Sequence, residues 1–212
     1  TFEELTSYGK RIFVEINKKI VNCNHLNIQH YPDTGYIRME GPFAVTLLDT
    51  APIGPDYLPG HAHSDTLSFE LSLFNRRIIV NGGTSEYGNG NLRLEERSTQ
   101  SHNTVEVDQE NSSEVWSSFR VARRAYPINL KIKKSSKSIN VSCMHNGYLR
   151  LPGKVIHERN WEFSKNKLLI EDTVLGKFKS SIARFYFHPE IEIVKKEFNS
   201  YLLKIGNRKI WL

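Results

Sequence analysis

The stretch "LSFELSLFNRRIIVNGG", residues 67–83, indicates which class of fold this chain adopts. Apolar side chains occupy every second position from Leu67 to Leu73, with serine or glutamate between them. This period of two is typical of a β-strand with one buried face. "NRR" predicts a turn into the apolar strand "IIV", and "NGG" predicts a further turn. The stretch therefore predicts an antiparallel hairpin.

Similar strand patterns recur along the chain, separated by polar turn sequences such as "SSKS" and "SKNK". They are "NTVEV", "FRVARR", "LKIKK", "SINVSC", "NWEFS", "KLLIEDTV", "ARFYFH" and "YLLKIG". Many strands joined by short turns favour an all-β antiparallel sandwich or barrel, and we expect at least about ten strands. The chain has no βαβ alternation and no glycine-rich phosphate loop, which disfavours a nucleotide-binding fold.

The beginning of the chain follows a different period. Apolar residues three or four apart predict a helix over residues 1–20, with Thr1 and Glu4 as a candidate capping box. We predict a helical end or linker over residues 1–25 and one β domain over residues 26–212. The sequence starts without Met and stops on the apolar "KIWL", so we expect it to be a piece of a longer polypeptide.

Composition limits the choice of partners. The net charge of the 212 residues is +6, with basic residues spread along the chain. No DNA- or RNA-binding signature accompanies them, so we expect no nucleic-acid partner; a solvated surface and an anionic ligand both stay open. No apolar run is long enough for a transmembrane segment. Cys23 and Cys143 provide neither a zinc spacing nor a disulfide framework.

The motif "GHAHSD" concentrates possible chemistry. In an extended segment His61 and His63 would point to the same face and could serve one metal ion or one substrate. A cupin-like site fails on spacing, because the next glutamate, Glu70, lies seven residues after His63. The facial triad of iron oxygenases is an open alternative, with His63, Asp65 and a distant His102 as ligands.

Several motifs occur in a fixed order around these histidines. They are G-H-x-H-x-D before a strand, G-T-x-x-Y, R-S-T-x-x-H-N-T-V, "QENSSE" before a tryptophan, F-R-V-x-R-R-A, and the later "HNGYLRLPGKVIHERNWEF" and "RFYFHPEIEI". In this order they resemble the C-terminal region of heparinase II/III-type polysaccharide lyases. The resemblance spans roughly residues 31–193.

The resemblance implies an architecture and an activity. The complete protein would contain an (α/α) toroid followed by a large antiparallel β-sandwich, and residues 1–20 would be the last toroid helix. Such enzymes cleave uronic-acid polysaccharides by β-elimination, in which a base removes the C5 proton, the carboxylate is neutralised and an acid protonates O4. An anionic polysaccharide and the toroid are the expected partners, and the periplasm or the exterior is the expected location.

The resemblance also implies that the toroid and the sandwich have different roles in the reaction. The main base would lie on the toroid, so the 212 residues alone are expected to be inactive. A non-catalytic glycan-binding or structural module in surface-polysaccharide metabolism is the alternative from a different functional class.

Roles within the chain follow from the motif positions. His61 would neutralise the carboxylate or assist proton transfer, with loop tethering as the open alternative. Tyr87 would donate a proton or simply pack in its turn. Arg97 and Asn103 would bind a uronate or pin a loop. Trp116 and Phe119 are expected in the core rather than in a sugar platform.

The resemblance further implies a structural zinc site. His63 and His102 match two zinc ligands, and Asn81 stands where the family places an aspartate. A neutral amide binds zinc less well than a carboxylate. The site is therefore weakened, or Asp65 substitutes, or the residues form only a hydrogen-bonded core. Asp65 is otherwise expected to orient a histidine through its free N–H.

Overall fold

A computed structural model of the protein describes residues 25–197, 200–206 and 208–211. The helix predicted over residues 1–20, with Thr1, Glu4 and Cys23, lies outside these ranges. The described residues contain sixteen strands: β1 (Asn27–Tyr31), β2 (Tyr36–Glu40), β3 (Ala44–Asp49), β4 (Phe69–Leu73), β5 (Arg76–Ile79), β6 (Val105–Val107), β7 (Val115–Trp116), β8 (Arg120–Val121), β9 (Pro127–Lys134), β10 (Ser138–His145), β11 (Ile156–Ser164), β12 (Leu168–Leu175), β13 (Ser181–Ala183), β14 (Glu192–Glu197), β15 (Ser200–Ile205) and β16 (Arg208–Trp211). They also contain one α-helix, α1 (Asn91–Arg97), and the 3₁₀ helices Thr99–Ser101 and Gly147–Arg150. The prediction of many strands is confirmed.

Two antiparallel sheets form a β-sandwich, as the all-β prediction required. One sheet has the order β1-β2-β3-β4-β5 and the other the order β12-β11-β10-β9. Their facing apolar side chains form one buried core: Ile37, Met39, Leu48, Phe69, Leu71, Ile78, Ile139, Val141, Cys143, Trp161 and Phe163. A third sheet, β14-β15-β16, contributes Leu203 and Ile205 to this core. Within the described ranges, no helix is long and apolar enough to cross a membrane.

The hairpin of β4 and β5 differs from its prediction in the position of the turn. Leu73 pairs with Arg76, so the loop is Phe74–Asn75 rather than "NRR". Both loop residues have positive φ, 54° and 63°. A two-residue loop needs this conformation to match the right-handed twist of its strands. The two arginines therefore belong to β5, where they are exposed.

A buried ion pair connects the second sheet to the backbone near the motif histidines. Arg159 of β11 donates to Asp172 of β12 at 2.7 and 2.9 Å. Its Nη1 also donates to the carbonyls of Leu67, at 2.8 Å, and Asn103, at 2.5 Å. Burial alone would raise the pKa of Asp172, but hydrogen bonds from His157 and Arg159 hold that pKa below its usual range. Arg159 thus connects the second sheet to the chain at Leu67 and at Asn103, which are close in sequence to His63 and His102.

Candidate functional site

An open cleft of about 500 Å³ lies beside the first sheet. Four of the predicted site residues line it, namely His61, His63, Asp65 and Asn81. A volume of this size is within the range of small-molecule sites. His61 and His63 are therefore accessible from solvent through this cleft.

The segment that carries His61 and His63 is not a strand. The N–H of Ala62 donates to the carbonyl of Pro59 at 3.0 Å, which closes a turn, and the N–H of Ser64 donates to the carbonyl of Arg97 at 2.8 Å. The extended conformation assumed for "GHAHSD" is wrong, because these bonds curl the chain. Both histidines nevertheless line the cleft.

His63 and His102, which the resemblance assigns to one zinc site, touch although 39 positions separate them in the sequence. Nδ1 of His63 lies 3.3 Å from Nε2 of His102. Burial, with the positive charges of Arg93 and Arg97, lowers the pKa of His63 to about 4. Burial and the neighbouring His63 lower the pKa of His102 to about 3. Both imidazoles are therefore neutral near pH 7, and one donates its N–H to the other.

The separation of these nitrogens suits two ligands of one zinc ion. Tetrahedral ligands at about 2.0–2.1 Å from zinc lie about 3.3–3.4 Å apart. The third position fits less well, because Asn81 offers a neutral amide whose Oδ1 accepts from the N–H of Gly83 at 3.1 Å. Nδ1 of His102 is buried and has no hydrogen-bond partner among the described residues, whereas metal-bound imidazoles usually donate this second N–H. The donor set is incomplete for zinc.

The facial triad is contradicted. Over the described ranges, no group of three or more His, Cys, Asp or Glu is arranged to hold a metal ion. In that part of the chain, neither His63 nor His102 hydrogen-bonds to Asp65, so the carboxyl does not orient either ring.

Asp65 instead lines the cleft together with Asp49 and Tyr36, and we call these three residues the acidic wall. Burial raises the pKa of Asp65 to about 7. Burial and the charge of Asp65 raise the pKa of Asp49 well above its usual range. Asp49 in turn is the main cause that raises the pKa of the Tyr36 phenol to about 12, with burial adding to it. The wall thus holds protons near neutral pH that isolated carboxyls would have lost.

In a second histidine pair, His145 and His157, every ring nitrogen has a hydrogen-bond partner. Nε2 of His145 lies 3.2 Å from Nδ1 of His157. The N–H of Gly147 donates to Nδ1 of His145 at 3.2 Å, and Nε2 of His157 lies 2.7 Å from Asp172. All four ring nitrogens have partners, so this pair stabilises the sandwich without further ligands.

An exposed aromatic cluster surrounds His61, which itself lines the cleft. The ring of His61 makes edge contacts with Tyr87, at 5.6 Å between centroids, and with Phe119, at 5.9 Å. The rings of Tyr87 and Phe119 are nearly parallel, with an angle of 14°. His61 and Tyr87, the two predicted catalytic residues, are therefore brought together in solvent-accessible positions.

The core positions predicted for Trp116 and Phe119 are wrong. Their exposed fractions are 48% and 44%. The short ribbon of β7 and β8 carries Trp116 at the surface, where the Arg120 guanidinium lies 4.8 Å from its ring centroid. A two-stranded ribbon cannot bury both of its faces. These rings are available for contact with a ligand.

Arg97 is buried, and its N–H groups serve the backbone. It donates at 3.0–3.3 Å to the carbonyls of Ala62, Ser117, Ser118 and Arg120. These carbonyls lie beside His61 and around Phe119. The geometry supports loop pinning, one of the two predicted roles, and gives no support to substrate binding by Arg97.

Asn103 is similarly enclosed. Its Nδ2 donates to the carbonyls of Phe69 and Val80, each at 3.0 Å, and its Oδ1 accepts from the N–H of Tyr186 at 2.6 Å. With 1% of its surface exposed, it joins three backbone segments. Its geometry also supports the pinning role.

The helix α1 was missed by the sequence analysis. Its residues Arg93, Glu96 and Arg97 have helical spacing and face the site loops. Glu96 accepts from the backbone N–H of Ser85 and from the hydroxyl of Thr84, both at 3.0 Å. The run "LRLEER" of strong helix formers was the available signal.

Residues 25–212 match the sequence model of the family Heparinase II/III-like, C-terminal. The chain belongs to this family. Its structure resembles that of the heparan sulfate lyase HepC from Pedobacter heparinus, with a TM-score of 0.66 and 19% identity over 85% of this chain and 27% of that one. It also resembles a heparinase III, with a TM-score of 0.65 and 18% identity over 85% of this chain and 28% of that one.

At such identities the structural likeness establishes the fold of this heparinase II/III-like domain. The chain spans between 27% and 28% of the length of these two proteins. No curated protein matches the sequence significantly.

Proposed function

We propose that this domain is the β-sandwich of a polysaccharide lyase that cleaves uronic-acid-containing polysaccharide by β-elimination. The observation that carries the proposal is the contact of two exposed side chains, the imidazole of His61, which lines an open cleft, and the ring of Tyr87. Membership of the heparinase II/III-like family supports it. An imidazole and a phenol are groups that transfer protons in enzymes.

The reaction requires three tasks. A base takes the C5 proton, a hydrogen-bonding or positive group neutralises the uronate carboxylate, and an acid protonates the departing O4. In this proposal His61 faces the carboxylate or assists the proton transfer, and Tyr87 donates to O4. The main base is assigned to a toroid domain that precedes the sandwich.

The residues beneath His61 have a supporting role. His63 and His102 form a neutral buried pair, and Arg97 holds the carbonyl of Ala62 beside His61. We expect zinc to bind weakly to His63, His102 and Asn81, because an amide supplies no negative charge. No step of the proposed reaction depends on a metal.

The proposal is tested with the intact protein and uronate polymers such as alginate, heparan sulfate and bacterial capsular polysaccharide. Elimination leaves a C4–C5 double bond conjugated to the carboxylate, which absorbs in the ultraviolet. Tyr87→Phe should lower kcat by about 10- to 100-fold, the scale of a positioned proton donor. Tyr126→Phe is the matched control, since Tyr126 is a half-exposed phenol beside Asp56. Absence of the absorbance with every uronate polymer would refute the proposal.

A second candidate is non-catalytic glycan binding. It is favoured by the exposed rings of Tyr87, Trp116 and Phe119, because exposed aromatic rings offer large apolar faces on which a ligand can pack. This candidate predicts that a polymer binds without gaining ultraviolet absorbance and that Trp116→Ala weakens binding. Product formation that requires Tyr87 would exclude it as the full description.

A further inference from the structure

Arg93 of α1 is a buried cation that the proposed reaction does not use. Its exposed fraction is 1%. Nη1 donates to the hydroxyl of Thr84, and Nε donates to the carbonyl of Ser118 at a long 3.4 Å. Among the described residues Nη2 has no hydrogen-bond partner and no carboxylate lies within salt-bridge distance of Arg93, although the Glu96 carboxylate interacts with it electrostatically. Burying a charge without such a partner is unfavourable, so a compensating interaction is required.

Two aromatic rings contribute to this compensation. The Arg93 guanidinium lies 5.2 Å from the ring centroid of Tyr87 and 5.8 Å from that of Phe119. A cation at such distances is attracted by the negative face of the ring. Tyr87 and Phe119 are the same two residues whose rings contact His61.

We propose that Arg93 is a positioning residue, which orients Tyr87 and Phe119 and through them the His61 imidazole. The backbone supports this assignment, because Arg97, one helical turn later, holds the carbonyl of Ala62. The helix α1 therefore holds His61 in two ways. Arg97 binds the carbonyl of the adjacent Ala62, and Arg93 contacts the two rings that touch the imidazole. An arginine suits this role because its planar guanidinium stacks on rings while its N–H groups bind fixed oxygens. The consequence for catalysis rests on the proposed function, whereas the positioning itself does not.

The first test observes the histidine directly. Side-chain NMR signals of His61, assigned by their loss in His61→Ala, report the ring currents of Tyr87 and Phe119. In Arg93→Met these signals should shift, and in Arg93→Lys they should shift less, because the charge remains while the planar group is lost. Arg76→Met makes the same change at an exposed position of β5 and should leave the His61 signals in place.

The second test is kinetic and uses the intact protein. Arg93→Met should lower kcat by about 10- to 100-fold while KM changes less than about 2-fold, because a small displacement of a catalytic group slows the chemical step. Arg93→Lys should be intermediate, and it also decides the matter if Arg93→Met fails to fold.

The NMR test and the kinetic test distinguish the positioning role of Arg93 from the proposed lyase function. A folded Arg93 variant with unchanged His61 signals would overturn the positioning role. Absence of lyase activity in the wild-type protein would refute the proposed function, and the NMR result would still decide the role of Arg93.

Discussion

Asn103→Asp exchanges one NH₂ group for oxygen at a buried position and keeps the side-chain volume. In the wild type, Nδ2 donates to the carbonyls of Phe69 and Val80. After the exchange one carboxyl oxygen still accepts from the N–H of Tyr186, but the other faces two carbonyl oxygens. We therefore expect a loss of stability without a cavity.

The expected loss of stability is calculated from the two carbonyls that lose their hydrogen-bond donor. A buried acceptor that loses its donor costs about 1–3 kcal/mol, so two such carbonyls cost about 2–6 kcal/mol. Protonation of the new carboxyl would restore one donor, and burial raises its pKa above the unfolded value near about 4. A group with a raised folded pKa loses stabilisation as pH rises, so the deficit should be larger at about pH 8 than at about pH 5.

Urea unfolding, followed by the fluorescence of the buried Trp161, measures this deficit at both pH values. Asn166→Asp, in the exposed turn between β11 and β12, is the matched control and should stay within about 0.5 kcal/mol of the wild type. If Asn103→Asp also stays within about 0.5 kcal/mol at about pH 8, the pinning role of Asn103 is refuted.

Two further predictions concern the cleft. Burial raises the pKa of Asp65 to about 7, so its contribution to stability is lost as pH rises from about 4 to about 7. Asp65→Asn should therefore be more stable than the wild type at about pH 8, by at least about 1 kcal/mol in urea unfolding; equal stability there would contradict this explanation. Asn81→Asp supplies the missing carboxylate, so calorimetric titration should show zinc binding tighter by about 10-fold or more, with Asn166→Asp unchanged. An unchanged affinity would mean that residue 81 is not a ligand.

The sandwich was predictable because its strands alternate strongly. In β10 and β11, alternate side chains are buried along the whole strand, since each has one face on the core and one towards solvent. The approach of His63 to His102 followed from the order of the motifs, because the family resemblance relates positions far apart in sequence.

Other features depend on tertiary contacts that no local pattern encodes. The helix α1 has seven residues, too few for stability in isolation, and its side-chain contacts with the loops stabilise it. The roles of Arg97 and Asn103 depend on which carbonyls the fold places around them. Leu67 adopts a φ of 64°, which its propensity disfavours, where Arg159 binds its carbonyl.

In the proposed function, His61 acts in an elimination reaction. The most direct measurement is the initial rate of ultraviolet absorbance produced from a uronate polymer by the intact protein, compared with its His61→Ala and His30→Ala variants. His30 is an exposed histidine of β1 and serves as the control. We expect a rate lower by about 100-fold or more for His61→Ala and an unchanged rate for His30→Ala. A folded His61→Ala protein with the wild-type rate would contradict it.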